Sequence, residues 1–381
     1  MVRGSIAAIF VAIIVVGNAV ASAGPAVYGY VKLDGSIDSA KTNDGNYAYV
    51  VLPYAEGEED NEFNMTAKQT RLGMKFEADD ETDIDVSGRI EFDFYGGGGE
   101  NKPNPMLRHA YLEMDFEAFR LLAGQTSDLI SPLNPTTLNY IVLWKSGNIG
   151  YRRPQLRLSK SMRIADGTKV SVAASANRNM GVDQDGEDTG LPSFQGRLAL
   201  GTALMGDKPV VVGVSAVYGS ESDAGGNEFD RTGVAVDLSV PLGDMFELKG
   251  EYFTGKNLAV HLGGVGQGIA VEPDSLARGR EVPGMSEIEA SGWWAQLTVR
   301  PSEVVSVNLG AGMDDPELPD YATADMIEKN TTYYGNVIWS VTPSAYVGLE
   351  YMMLETEYVG TEEEPSAYED NRVQLSLGYK F

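Results

Sequence analysis

The chain closes on "NRVQLSLGYKF", where Val373, Leu375, Leu377, Tyr379 and Phe381 alternate with Arg372, Gln374, Ser376, Gly378 and Lys380. Such period-two alternation marks a strand with one apolar face. "VYGYVKLDGSID" repeats it, with Val27, Val31, Leu33 and Ile37 on one face and Tyr28, Tyr30, Lys32, Asp34 and Ser36 on the other. Further segments fall at 67–78, 84–95, 106–116, 118–126, 150–162, 168–178, 194–204, 209–218, 231–242, 244–255, 289–300, 302–313, 332–341 and 344–357, sixteen in all. Most have nine residues or more. About 9–11 residues of tilted strand cross a bilayer, whereas a globular strand has about 5–6.

The connections alternate short and long. Short ones are "DDETD" (79–83), Glu117–Ala118, "IADG" (164–167), Met205–Asp207, "LGD", Pro301 and "TPS". Long ones fall at 39–66, 97–105, 127–149, 179–193, 219–230, 256–288, 314–331 and 358–370. An up-and-down membrane barrel requires that order, and a soluble sandwich does not. The faces agree. Val170, Val172, Val212, Val214, Val234 and Leu309 share the outward set, with Arg89, Glu91, Asp93, Asp237, Glu251 and Asn308 inward. The inward face is too charged for a dry core, which predicts a wet lumen. Sixteen strands are enough to enclose one. Trp293, Trp339, Tyr252, Tyr351, Tyr379 and Phe381 fall where an aromatic girdle belongs. The predicted fold is all-β: a 16-stranded antiparallel transmembrane barrel. The last strand, an aggregation hazard as a free edge, is expected to pair with the first.

The opening residues change the compartment. Arg3, an apolar run from Ile6 to Val16 and Ala21-Ser22-Ala23 form the grammar of a cleaved signal peptide over 1–23. Residues 24–381 are expected to make one barrel domain. The net charge of -26 and pI near 4.4 argue against nucleic acid as a partner. With no cysteine and two histidines, His109 and His261, and no G-x-S-x-G elbow, no catalytic constellation shows. An enzyme, a cofactor and a metal site are not expected. "GGVGQG" (263–268) is expected to be a flexible loop.

The third long connection, "SDLISPLNPTTLNYIVLWKSGNI" (127–149), differs from the rest. It is apolar, with one acid, Asp128, and one base, Lys145. Leu129, Leu138, Tyr140 and Trp144 would be costly in water, so the segment is expected to fold into the lumen, with Asn134 in it, and narrow the channel; a subunit-contact loop or a peripheral cap is the alternative. Residues 66–163 hold 13 Lys and Arg against 13 Asp and Glu, so the net negative charge lies elsewhere, much of it in "EGEED" (56–60), "DQDGED" (183–188) and "EEE" (362–364). Arg71, Lys75, Arg89, Arg153 and Arg157 share the lumen face of this neutral third, with Arg120 nearer the periplasmic end. The parity of Arg108 is ambiguous. Guanidinium groups grip carboxylates bidentately and stay charged, and a ring of them favours anions. Pairing of these arginines with Glu91, Asp93 and Glu77, holding only the wall, is the competing expectation.

"KQTRLGMKFE", "GRIEFDFYG", "LRHAYLEMDFEAFRLLAGQTSDLISPLNPTTLN" and "GNIGYRRPQLRLS" resemble the DcaP-like and related Gram-negative porins, best over 28–162 and at the terminal "LSLGYKF". The resemblance implies an outer-membrane homotrimer, an inward third loop and passive uptake of small, often anionic, hydrophilic solutes. The aromatic carboxy-terminus resembles the signal by which such barrels are recognised for insertion. For the acidic external loops two readings stand side by side: solvated tips, or bridging by divalent cations to lipopolysaccharide phosphates. Two other readings stay open: a structural or surface-binding barrel with little conductance, and an outer-membrane barrel hydrolase.

Overall fold

The computed structural model describes residues 25–381 apart from 56, 58–59, 79–82, 100, 179–188, 205–207, 223–225, 273–283 and 361–366. The leader, most of "DDETD", the turn at 205–207 and the acidic runs "DQDGED" and "EEE" lie outside the described residues.

Strand β1 is Ala26–Asp38. Strand β2 comes in two pieces, Glu62–Thr66 and Arg71–Glu77. Both pair with β1, with Asp34 opposite Thr66 and Tyr30 opposite Arg71, so a local irregularity breaks one stave rather than making two. Then come β3 (Asp85–Asp93), β4 (Met106–Phe116), β5 (Phe119–Ser127), β6 (Arg152–Ala165) and β7 (Thr168–Asn177). They are followed by β8 (Ser193–Thr202), β9 (Val210–Ser222), β10 (Glu228–Leu242), β11 (Phe246–Lys256) and β12 (Glu289–Ser302). The last are β13 (Val305–Glu317), β14 (Ile327–Ser340), β15 (Ala345–Tyr358) and β16 (Ala367–Lys380). Every neighbour is antiparallel, and the staves number sixteen, as the alternation predicts.

Closure removes the edge. β16 pairs with β1 from Asp38 opposite Arg372 to Tyr30 opposite Lys380. The terminal Phe381 and Gly29 exchange two backbone hydrogen bonds of 3.1 Å. In hydrocarbon an unpaired backbone amide costs several kcal/mol, and among the described residues the wall leaves no strand edge open. Outward side chains form an apolar belt: Leu33, Val214, Leu309, Leu349 and Leu375 are all exposed, and Trp339, Tyr351, Tyr379 and Phe381 with them.

The interior departs from the expected wet tube. On the β8–β15 side, inward polar groups are buried and bonded to one another. Gln296 donates to Asn308 (3.1 Å), Asn308 to Asn336 (2.8 Å) and Asn336 to Glu350 (2.9 Å) across four staves. The described parts of three long connections cover this wall: L1 (39–61), L3 (128–151) and L6 (257–288). Ala40, Ala48 and Val51 of L1 pack with Leu143 of L3 against Trp294, Tyr334, Met352 and Leu354. Ile130 and Ile149 of L3 pack with Leu258 of L6 against Val217, Phe253 and Ala290. "GGVGQG" is part of this filling rather than a free loop: Val265 is buried, and Gly264 N–H donates to Asp314 at 3.0 Å. At the level of L3 the β2–β7 side keeps partly exposed inward charges, Arg71 and Arg89 among them, while Arg300 and Glu247 on the other side are partly exposed beyond the loop filling.

Placing a charge on the lipid face of such a wall costs about 2–4 kcal/mol near mid-membrane. Leu375→Arg should lower the unfolding free energy in vesicles by that amount, read from denaturant titration of heat-modifiable gel migration. Ser306→Arg, on the lumen face, should change it by less.

Candidate functional site

L3 starts where β5 ends, and its base is fixed by one acid. Asp128 lies within 2.7 Å of Arg153 Nε through Oδ1, which also accepts from Gln195 Nε2 at 3.0 Å. Its Oδ2 accepts from the Tyr151 backbone at 2.9 Å and lies 3.2 Å from His261 Nδ1. Arg153 also donates to the carbonyl of Val260 at 3.1 Å, which ties L6 to the same point. All three charged or titratable groups are fully buried. Burial alone would raise the Asp128 carboxyl, but Arg153, His261 and Gln195 outweigh it and hold the group well below the usual carboxylate range. Burial, helped by Arg153, pushes the His261 imidazole down to about 4.

Beyond its base, L3 is held stave by stave. Gln195 of β8 accepts from Leu129 N (2.6 Å), and Ser215 of β9 from Ser131 N (3.2 Å). Glu251 of β11 accepts from Ser131 Oγ (2.6 Å), Leu133 N (2.8 Å) and Trp294 Nε1 (3.0 Å). Glu350 of β15 accepts from Leu138 N and Asn139 N, both at 2.7 Å. Lys32 of β1 donates to the carbonyl of Leu138 at 2.8 Å. An irregular segment buried in a lumen must have its amides satisfied, and alternate inward side chains of the wall do it. Val142 and Leu143 both take left-handed φ (46° and 60°), a costly region for a β-branched residue. Close backbone approach continues at Gly147, where a side chain would collide with the carbonyl of Trp293.

The opposite wall carries the cations. Glu91 and Asp93 of β3 are buried and serve three guanidinium groups. Arg71 lies 3.2 Å from Glu91 and 3.3 Å from Asp93, Arg108 Nε lies 2.5 Å from Asp93, and Arg89 pairs with Glu91. Tyr28 accepts from Arg89 Nε (2.6 Å) and donates to Glu91 (2.7 Å). Three fixed positive charges against two carboxylates leave an excess of +1 within this group. Arg71 and Arg89 keep side-chain exposures of 22% and 29%, so they still present N–H groups to the lumen. Between this wall and L3 lies a cavity of about 280 Å³ lined by Tyr30, Arg71, Tyr151 and Arg152 on one side and Pro132, Asn134, Tyr140, Val142 and Trp144 on the other. Arg152 stacks over Tyr151 at 4.9 Å and Trp144 at 5.6 Å.

Of the residues singled out from sequence, Arg71, Arg89, Glu91 and Asp93 come together in one charged cluster, and of these Arg71 lines the cavity. Lys75 stacks on Tyr28 at 5.4 Å. Arg157 is half-buried, bonded to Gln155 (2.9 Å) and the carbonyl of Ser127. The side chains of Arg153 and Asp128 are buried against each other, although Asp128 is among the residues bounding the cavity. Arg120 sits apart, paired with Asp115 and with Glu113 at 3.3 Å. In L3, Asn134 accepts from Asn148 at 3.1 Å. Tyr140 packs edge-on to Trp144. Lys145 turns away, over Tyr49 at 4.9 Å, and its burial holds the ammonium below the ordinary lysine range. Alternation leaves two residues out. Arg108 is turned inward beside His109 by a register irregularity opposite Glu91 and Phe92, a bulge that breaks strict parity. Arg152 is the first strand residue after L3, where periodicity has not yet begun.

The base of L3 is acid-sensitive with a definite sign. His261 has a folded value near 4 against about 6.5 in the unfolded chain, so unfolding takes up a proton. Stability should fall as pH drops from about 6.5 toward 4, by up to ~3 kcal/mol, and Asp128 adds a further loss only at lower pH. His261→Gln should flatten the first window in a pH series of denaturant titrations, whereas an unchanged slope would remove His261 from it.

No family model matches the chain, and no curated protein matches it. Solved structures do. The outer membrane channel DcaP of Acinetobacter baumannii superposes with a TM-score of 0.74 at 21% identity, covering 94% of this chain and 97% of that one. An anion-selective porin from Comamonas acidovorans gives 0.60 at 12% identity, covering 94% and 99%. The trimer form of OmpT, an outer membrane protein of Vibrio cholerae, gives 0.54 at 12%, with the same coverages. Likeness at these identities is likeness of fold, and the fold of this chain is that of the sixteen-stranded outer-membrane porins.

Proposed function

We propose that the protein is a passive channel carrying small hydrophilic solutes across the outer membrane of a Gram-negative cell, with a preference for those bearing a carboxylate or a similar anionic group. The observation that carries this reading is the constriction. One wall presents Arg71 and Arg152, with Arg89 paired to Glu91 beside them, and the other is the apolar and aromatic flank of L3. The single acid of L3 is consumed by Arg153. A passing anion therefore meets fixed cations and no opposing carboxylate, and guanidinium N–H groups can replace part of its hydration. A cation passing the same point gains nothing in return. The outward apolar belt would face lipid and, at the external rim, lipopolysaccharide. A homotrimer fits the sequence resemblance, and one structural neighbour is described as a trimer.

The filling of the β8–β15 side by three loops favours a second reading, a barrel that barely conducts, and the same measurement separates the two. In planar bilayers under a KCl gradient, the wild-type zero-current potential should report anion preference. Arg71→Gln combined with Arg152→Gln should lower the anion/cation permeability ratio severalfold, and Arg89→Ala with Arg157→Ala should act in the same direction. Channels that conduct with an unchanged ratio would leave these arginines as wall struts, and absence of unitary currents would favour the non-conducting barrel.

A further inference from the structure

Below the constriction, the β6–β7 hairpin places two cations against each other. Arg163 of β6 and Lys169 of β7 are direct cross-strand partners, so both side chains leave the same face. That face is the lumen, since Met162 and Val172 on the alternate positions belong to the exposed apolar belt. Like charges directly opposite one another destabilise a sheet. Other inward arginines are matched by carboxylates, Arg197 with Asp237 (2.6 Å), Arg300 with Glu247 (2.5 Å) and Arg372 with Asp38 (3.0 Å), while Arg157 is held by Gln155 and the Ser127 carbonyl. Among the described residues, Arg163 and Lys169 have no ion pair, and Asp166 in the adjoining turn makes none with them. One rung toward the constriction, Ser161 and Ser171 are again direct partners, with their hydroxyls 2.8 Å apart. All but Ser161 line a recess of about 560 Å³ that is also bounded by Arg197, neutralised by Asp237, and whose floor is cut by small residues, Ala199, Gly201 and Ala203.

We infer that this rung is a second station for anions, at the periplasmic exit, binding a carboxylate or phosphate oxyanion between the Arg163 guanidinium and the Lys169 ammonium. The inference extends the proposed solute preference and rests on it for the direction of travel, but not for its chemistry. An oxyanion seated there would relieve the cross-strand repulsion, accept the unused N–H donors and reach the paired serine hydroxyls. A solute released by Arg71 and Arg152 would meet a second attractive site before the exit. Two weak sites in series allow passage without tight trapping.

The chain has no cysteine, so a single Ser171→Cys reports the field at the rung. Folding of each variant is checked by heat-modifiable migration. An anionic sulfonate methanethiosulfonate reagent should react about tenfold faster, relative to its ammonium counterpart, than at a neutral site. Inorganic pyrophosphate should slow both reagents. Neutralising the rung, Arg163→Gln with Lys169→Gln, should bring the rate ratio to near one and abolish pyrophosphate protection. Arg71→Gln with Arg152→Gln should leave both effects in place. Protection that survives rung neutralisation, or that is lost with the constriction variant instead, overturns the inference. A channel without anion preference that still shows protection of the introduced thiol contradicts the proposed function and keeps the station. An anion-selective channel without protection does the reverse.

Discussion

Every backbone amide in the hydrocarbon must find its partner within the protein, and this wall meets that demand by closing on itself. The pairing of β16 with β1, ending in the reciprocal bonds of Gly29 and Phe381, is the point at which a sheet becomes a barrel. Once closed, each strand has two solvents. Alternate residues must be apolar toward lipid, which leaves the other half of each strand free to carry polar and charged groups. The chemistry of the lumen is therefore a consequence of closure, and the long connections at one end can be spent on filling it.

That filling is uneven, and the unevenness makes the site. L1, L3 and L6 lie against the β8–β15 wall, where Glu251, Gln296 and Glu350 take up backbone N–H groups of L3 or hold its neighbours. Beside L3 the remaining space lies toward the β2–β7 side, where Arg71 and Arg152 line the cavity and Arg89 pairs with Glu91. Asp128 governs both halves. By binding Arg153, Gln195, His261 and the Tyr151 backbone at once, it anchors both ends of L3 and withdraws the loop's only acid from the lumen.

The wall was readable in the sequence because a period of two is imposed by lipid on every stave. Val170 and Val172 outward, Ser171 and Ser175 inward, need no knowledge of neighbours. L3 stood out because Leu138, Tyr140 and Trp144 make an external loop implausible. L1 and L6 gave no such signal: Ala40, Val51, Leu258 and Val265 are scattered among glycines and polar residues, and their burial depends on contacts made across the barrel. The same limit applies to charges. Periodicity placed Arg153 and Arg89 on one face, but could not show that Arg153 is sealed by Asp128 while Arg89 keeps free N–H groups. It also could not resolve Arg108, because a bulge is set by the partner strand and not by its own sequence.

Thiol accessibility at three positions bears most directly on the wall and its one-sided lumen. Ser159, Asn308 and Val307 stand, in turn, on the open lumen side, beneath the loop filling and in the lipid belt. Each is replaced singly, as Ser159→Cys, Asn308→Cys and Val307→Cys. In vesicles, a membrane-impermeant thiol reagent should reach the thiol at position 159 readily and that at position 308 barely, while the one at position 307 reacts only with a lipid-soluble reagent. Equal aqueous reactivity at positions 159 and 307 would contradict the two-solvent wall, and equal reactivity at positions 159 and 308 would contradict a passage confined to the arginine side.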